Sequence, residues 1–124
     1  MKTVLIVDDS GFMRRMMKKV VIDNGYIVAG EADSGTAAIE RYKELKPAIV
    51  TMDITMGDMS GLDALNSILI FDPDAKVIIV SSMSQEIIVR DAIMRGAKGF
   101  IVKPFEANQI LNAFSKLFKQ DEKR

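Results

Sequence analysis

The chain has 124 residues, 48% of them hydrophobic, and its 17 basic and 17 acidic residues give a formal net charge of zero. This length is typical of one domain with one core, and the charge balance excludes a nucleic-acid surface driven by bulk charge. Histidine and cysteine are both absent, which excludes disulfides, thiolate chemistry and the commonest general base. No apolar run approaches the roughly 20 residues that span a bilayer, so we expect a cytoplasmic protein without membrane insertion.

A strand and a helix are predicted at the start of the chain. Thr3–Val7 is a continuous run of apolar and β-branched residues that ends at Asp8 and Asp9, which is typical of a strand buried on both faces. Ser10 is a good N-cap for the helix that follows, and Gly25 suits its carboxyl end. The apolar residues at helical spacing between them are Phe12, Met13, Met16, Met17, Val20 and Val21.

The same strand and helix unit recurs four more times. Strands are predicted at residues 26–32, 48–52, 76–80 and 99–102, and helices at residues 34–45, from Ser60 onward, at 85–95 and at 106–119. The inward face of the last helix is predicted to carry Ile110, Leu111, Phe114, Leu117 and Phe118. The charged tail at residues 120–124 is predicted to fray. Five alternating strands and helices predict an α/β fold with a parallel sheet, in one domain that covers residues 1–124.

Polar side chains follow four of the predicted strands. Asp8 and Asp9 follow the first strand, Asp53 the third, Ser81 the fourth and Lys103 the fifth. Because ligands bind parallel α/β sheets at the carboxyl ends of the strands, we expect these five side chains to lie at one site. Singly, each has a simpler interpretation, since acids favour helix N-termini and a lysine or serine is often only solvated. Their joint placement favours a site.

Three carboxylates at one site require a cation. Two carboxylates about 4 Å apart repel by roughly 4 kcal/mol at an effective dielectric constant near 20, and the single Lys103 cannot balance three acids. An all-oxygen site favours Mg²⁺, which proteins hold with carboxylates and phosphate oxygens. A carboxylate is also a nucleophile that can form an acyl phosphate, with Lys103 and Ser81 placed to contact phosphoryl oxygens.

At these residues the sequence resembles the receiver domain of bacterial two-component response regulators. The matching segments are residues 4–10, 52–56, Ser60-Gly61, 80–82, Gly96-Ala97 and 103–105. They extend from the first strand to the last helix, so the resemblance covers nearly the whole chain. It implies a doubly wound, flavodoxin-like sheet of five parallel strands in the order 2-1-3-4-5, with helices on both faces.

The resemblance also implies roles for individual residues. Asp53 would accept the phosphoryl group and would bind Mg²⁺, or Mn²⁺ as a substitute, together with Asp9 and the backbone carbonyl of Thr55. Asp8 would act mostly through metal-bound water. Ser81 and Phe100 would be the switch residues. Lys103 would contact the phosphoryl oxygens, and its bond to Pro104 would be cis.

Four positions near the strand ends depart from the family pattern or occupy places that adjust its rates. Gly57 stands where the family usually has proline, which widens the conformations open to the loop after Asp53. Ser82 stands where many members have alanine. Thr55 and Met83 occupy positions that tune dephosphorylation within the family.

The resemblance is strongest to chemotaxis receivers that act alone, and the chain ends soon after its last predicted helix. The phosphoryl donor would then be a CheA-like histidine kinase, because this chain has no histidine of its own. The target would be a FliM-like flagellar motor switch protein, bound by the fourth helix, fifth strand and fifth helix. A phosphatase is a further expected partner. Activity of its own would be limited to phosphorylation from small donors and to self-dephosphorylation.

Several alternatives share parts of this pattern. A stand-alone receiver in a phosphorelay outside chemotaxis would carry the same site. A phosphatase of the haloacid-dehalogenase type would also use Asp and Mg²⁺, but it needs a second acid where this chain has Thr55. A flavodoxin-like FMN-binding protein needs a phosphate-binding first loop, which Asp8 and Asp9 would repel. A degenerate receiver would lack some of the five key side chains, all of which are present.

Overall fold

The computed structural model describes residues 2–82 and 85–122, which form five strands and five helices in strict alternation. The strands are β1 (Thr3–Val7), β2 (Ile27–Ala32), β3 (Ile49–Asp53), β4 (Val77–Ser82) and β5 (Gly99–Lys103). The helices are α1 (Gly11–Asp23), α2 (Gly35–Leu45), α3 (Gly61–Phe71), α4 (Glu86–Arg95) and α5 (Ala107–Glu122). None of the described helices is long and apolar enough to cross a membrane.

The five strands form one parallel sheet in the order β2-β1-β3-β4-β5. This order confirms the fold that the resemblance implied. The chain winds outward from β1 in both directions, so the carboxyl ends of β1 and β3 are adjacent at the centre of the sheet. That point is where a doubly wound sheet binds its ligands.

Both faces of the sheet are covered by apolar side chains. Along β1, Leu5 and Val7 belong to the core on one face, whereas Val4 and Ile6 belong to the core on the other face. The first core is completed by α2, α3 and α4, and the second by α1 and α5. Burial on both sides explains why the strands are continuous apolar runs rather than alternating ones.

Serine side chains begin the first three helices as the sequence predicts. The side chains of Ser10, Ser34 and Ser60 each accept a hydrogen bond from the backbone N–H three residues later. Such caps satisfy N–H groups that have no partner within the helix. At the other end of α1, Gly25 has a φ of 85°, which glycine adopts without strain.

Several boundaries differ from the prediction. The strands β3, β4 and β5 end at Asp53, Ser82 and Lys103. The polar residues Asp53, Ser81 and Lys103 therefore belong to the strands themselves. The helix α5 continues to Glu122, three residues beyond its predicted end, and fraying of the charged tail stays a prediction. The last two residues of the expected tail, and Met83, lie outside the described residues.

The apolar face predicted for α1 is wider than the face that is buried. Met17 and Val21 are buried, but Phe12 is 61% exposed and Met16 is 40% exposed. Helical spacing of the six apolar residues therefore does not place all of them in the core, and these two lie on the exposed side. On α5 the prediction was better, because Ile110, Phe114 and Leu117 are buried, and Leu111 and Phe118 are partly buried.

Candidate functional site

The sheet brings all five polar side chains to one edge. Asp8 follows β1 directly, and Asp53 is the last residue of β3 and pairs with Val80 of β4. Ser81 lies one residue further along β4, and Lys103 ends β5, where it pairs with Ser82. The structure thus places these residues at the same edge of the sheet, because parallel strands in this register end at nearly the same level.

The three acids are close enough to share one cation. Carboxylate oxygens of Asp8, Asp9 and Asp53 all lie within 4.8 Å of one another. Asp8 and Asp53 are buried, and Asp9 is exposed at the mouth of the site. This combination allows an ion to enter from solvent and to meet two desolvated ligands.

Lys103 is the cation that the chain itself places in the cluster. Its Nζ lies 3.0 Å from Oδ2 of Asp8 and 3.5 Å from Oδ1 of Asp53. The Lys103–Pro104 peptide bond is cis, as the resemblance implied. One ammonium group between two buried carboxylates leaves the cluster negative overall.

The electrostatics of Asp53 reflect this excess of negative charge. Burial, followed by repulsion from Asp8, raises the pKa of Asp53 from 3.8 to about 6, although Lys103 and the N–H of Thr55 act to lower it. The Thr55 N–H donates to Oδ1 of Asp53 over 3.4 Å. A divalent cation would offset the effects of burial and of Asp8 on this pKa, since it favours the ionised carboxylate.

The donor set fits a hard divalent cation such as Mg²⁺. The candidate ligands are carboxylate oxygens, and the chain contains neither histidine nor cysteine. Such oxygen sites suit Mg²⁺, which keeps several waters and accepts one or two carboxylates. The set fits Mg²⁺ better than it fits a phosphate alone, because three acids would repel an isolated anion.

Ser81, one residue beyond the β4 partner of Asp53, is buried and its hydroxyl has no partner among the described residues. Its side chain is 1% exposed, and Oγ has no hydrogen-bond partner within the part of the chain that is described. An unpaired buried hydroxyl costs free energy, and such groups often mark function. A ligand oxygen at the site would provide the missing partner.

An apolar cavity of about 600 Å³ opens next to Ser81. Phe100, on β5, lines this cavity but keeps 52% of its surface exposed. The opposite wall is formed by α4, through Val89 and Ile93. The cavity therefore has room for an aromatic ring that turns inward.

The loop after Asp53 is tied to α2 by Asp58. Its carboxylate accepts hydrogen bonds from the N–H groups of Gly35, Thr36 and Met59, at 2.8, 3.0 and 2.8 Å, and from the Thr36 hydroxyl at 2.7 Å. These bonds hold the pKa of Asp58 well below its usual range. This anchor was not predictable from the sequence, because nothing in the local pattern pairs residue 58 with a helix more than twenty residues earlier.

Two further side chains make contacts at the site that were not predictable from the sequence. Arg14 of α1 donates to the backbone carbonyl of Asp8 over 2.7 Å. Gln85 accepts from the Ser82 N–H over 2.9 Å and donates to the Thr55 hydroxyl over 2.5 Å. Both contacts depend on how separate elements pack, for which the sequence carries no spacing signal.

Comparisons with known proteins agree with this geometry. The chain matches the model of the response regulator receiver domain over residues 4–115. It is 54% identical to the chemotaxis protein CheY of Thermotoga maritima over 95% of this chain and 98% of that protein. It is 52% identical to the chemotaxis protein CheY of Listeria monocytogenes over 96% of this chain and all of that protein.

A solved structure gives the same result at the level of the fold. The crystal structure of the CheX-CheY-BeF3-Mg complex from Borrelia burgdorferi contains a chain that superposes with a TM-score of 0.91. That chain is 37% identical in sequence, and the match covers 94% of this chain and 89% of that one. The match thus extends over nearly the whole described sheet and its helices.

Proposed function

This chain belongs to the response regulator receiver family, and from that premise we propose that it accepts a phosphoryl group on Asp53 and acts as a chemotaxis signal. The observation that carries the proposal is the placement of Asp53. It ends the central strand β3, is buried, and lies beside two further acids and a lysine.

The chemistry of the proposed step is an in-line displacement at phosphorus. A carboxylate oxygen of Asp53 attacks the phosphorus of a phosphohistidine, a P–O bond forms, and the P–N bond breaks. The electron pair of the broken bond goes to the imidazole nitrogen, which takes a proton from solvent. The donor histidine belongs to a partner, a CheA-like kinase, because this chain contains none.

The residues of this chain balance the charge that the transfer brings. Lys103, already within 3.5 Å of Asp53, meets a phosphoryl oxygen. Asp9, Asp53 and the backbone carbonyl of Thr55 would hold Mg²⁺, or Mn²⁺ in its place, and Asp8 would contact it through water. When bound, the ion supplies positive charge to the phosphoryl oxygens and keeps the acids ionised.

Ser81 and Phe100 are proposed to convert phosphorylation into a change of surface. The unpaired Ser81 hydroxyl donates to a phosphoryl oxygen, and its movement makes the neighbouring cavity available to Phe100. The exposed ring then turns inward, because burial of an aromatic side chain is favourable. The surface formed by α4, β5 and α5 changes as a result.

This surface is the proposed output face. Within α4, Val89 is buried, whereas Ile87 and Met94 are 82% and 88% exposed. Exposed apolar residues next to a movable aromatic ring suit a protein partner. By likeness to CheY relatives, the partner would be a FliM-like motor switch protein. A CheX-like phosphatase is a further proposed partner, since a related CheY is bound to CheX in the Borrelia burgdorferi complex.

The proposed role is that of a signalling protein rather than an enzyme with its own substrate. Incubation with acetyl phosphate and Mg²⁺ tests the acceptor function, with intact-mass spectrometry as the measurement. We expect one phosphoryl group on the wild type, none on Asp53→Asn, and none when a chelator removes Mg²⁺. An exposed-acid control, Asp23→Asn, should behave as the wild type. Repeated turnover of p-nitrophenyl phosphate would instead favour a phosphatase.

A further inference from the structure

Arg14 joins the acidic cluster to strand β2 from the first turn of α1. Its Nη1 donates to the backbone carbonyl of Asp8 over 2.7 Å, and its Nε donates to Oε1 of Glu31 over 3.2 Å. The Arg14 side chain is only 21% exposed. A guanidinium group can make both bonds at once because its donors lie in a rigid plane.

Asp8 is held at each of its polar groups. Its N–H donates to the carbonyl of Ala32 over 3.1 Å, and its carboxylate accepts from the Ser10 N–H at 2.9 Å and from Lys103 at 3.0 Å. The carbonyl is the group that Arg14 holds. That carbonyl belongs to the peptide unit that continues into Asp9.

The peptide between Asp8 and Asp9 is planar. Holding its oxygen therefore also restricts the N–H and Cα of Asp9, the one acid of the cluster that is exposed. An exposed side chain has little packing to orient it, so its backbone must place it. Residues that orient metal ligands in this way strongly affect metal affinity.

We propose that Arg14 is a positioning residue that, anchored by Glu31, fixes the Asp8–Asp9 peptide and so increases the affinity of the acidic cluster for Mg²⁺. The inference rests on the proposed function of that cluster as a Mg²⁺ site. For the loss of Arg14, the inference predicts the opposite change in Mg²⁺ affinity from the one that charge alone would cause. A positive charge near a cation site should weaken Mg²⁺ binding, so its removal should tighten binding unless Arg14 acts through position.

The test is Mg²⁺ titration of the purified full chain by isothermal calorimetry, with Arg14→Met and Arg14→Lys compared with the wild type. We expect Arg14→Met to weaken Mg²⁺ binding about tenfold, the lower end of the range for residues that orient metal ligands. Arg14→Lys keeps the charge but loses the planar pair of donors, so it should also weaken binding, by a smaller factor. Thermal unfolding of each variant without Mg²⁺ shows that it is folded.

Arg15→Met is the matched control, because it removes the same charge from the next, exposed residue of α1. It should leave Mg²⁺ binding unchanged or slightly tighter. Tighter binding in Arg14→Met, or unchanged binding in Arg14→Lys, would overturn the inference even if the wild type binds Mg²⁺ normally. A wild type that binds no Mg²⁺ would remove the proposed metal site and this inference together.

Discussion

At the scale of single residues, the ionised form of Asp53 is needed for the proposed function but destabilises the folded chain. A buried carboxylate beside Asp8 is easier to protonate than one in water, and its pKa is raised from 3.8 to about 6. The folded chain therefore holds a proton between these values that the unfolded chain has released. Folding stability without metal must fall as pH rises through this window, and the full penalty is present above about pH 6.

Asp53→Asn should remove this penalty. A pKa rise from 3.8 to about 6 corresponds to about 3 kcal/mol, which the wild type loses near neutral pH and the amide variant does not. We expect the variant to unfold at a higher temperature than the wild type near pH 8 in a chelator, and the difference to shrink near pH 4. Thermal unfolding across this range provides the measurement.

Mg²⁺ should reverse the order of the unfolding temperatures of the wild type and Asp53→Asn. The ion favours the ionised carboxylate and binds only the folded chain, so it should stabilise the wild type and stabilise Asp53→Asn much less. If the difference in unfolding temperature between the two proteins does not change with pH, then burial and repulsion from Asp8 do not raise the pKa of Asp53.

At the scale of elements, the loop from β3 to α3 sets the position of Asp53. Gly57 stands in this loop where the family usually has proline, which raised the question of its rigidity. In the structure the loop is fixed instead by Asp58, which binds the start of α2, and by Gly61, whose N–H donates to the carbonyl of Ile54 over 2.7 Å. The departure at Gly57 is thus compensated on both sides.

Gly61 and Gly57 should respond very differently to alanine. A Cβ at Gly61 would lie 2.5 Å from the carbonyl oxygen of Asp53 and 2.7 Å from the Cα of Ile54. A Cβ at Gly57 would have nothing within 4 Å. We expect Gly61→Ala to cost about 1–3 kcal/mol of unfolding free energy, as overpacking does, and Gly57→Ala to be nearly neutral. Urea denaturation of both variants measures these changes. Equal losses of unfolding free energy would contradict the described packing.

The elements themselves were largely predictable, for a physical reason. Strands that are buried on both faces must be apolar at every position, so their runs stand out, and serine caps mark the helix starts. The exposure of Phe12 and Met16 was not predictable, because the periodicity of α1 does not reveal how much of its apolar face the sheet covers. The contacts of Arg14 and Asp58 depend on the packing of elements distant in sequence, which no local pattern encodes.

At the scale of the whole molecule, one sheet connects the acceptor site to a distant surface. Residue spacing alone predicted a parallel sheet and the residues at its edge, whereas the strand order came from the family resemblance. The proposed connection to the surface is Ser81, whose hydroxyl has no partner among the described residues and which borders the cavity that Phe100 lines. On this proposal, a change at Asp53 reaches α4 through one hydroxyl and one ring.

Ser81→Ala should separate switching from folding. The change removes a buried hydroxyl that lacks a partner, so stability should be unchanged or higher. By contrast, Ser60→Ala removes the N-cap of α3 and should cost about 1 kcal/mol. We expect beryllium trifluoride with Mg²⁺ to shift the methyl resonances of Val89 and Val102 in the wild type and in Ser60→Ala, but much less in Ser81→Ala. Equal shifts in all three proteins would refute the proposed route.

The acceptor identity of Asp53 can be tested at the level of the covalent bond. The wild type is incubated with acetyl phosphate and Mg²⁺, the acyl phosphate is reduced with borohydride, and the digested chain is mapped by tandem mass spectrometry. We expect reduction of an acyl phosphate to leave homoserine at position 53, with Asp8 and Asp9 unmodified. Homoserine at either of those acids, or an unmodified Asp53 in a chain that binds Mg²⁺, would contradict the central claim.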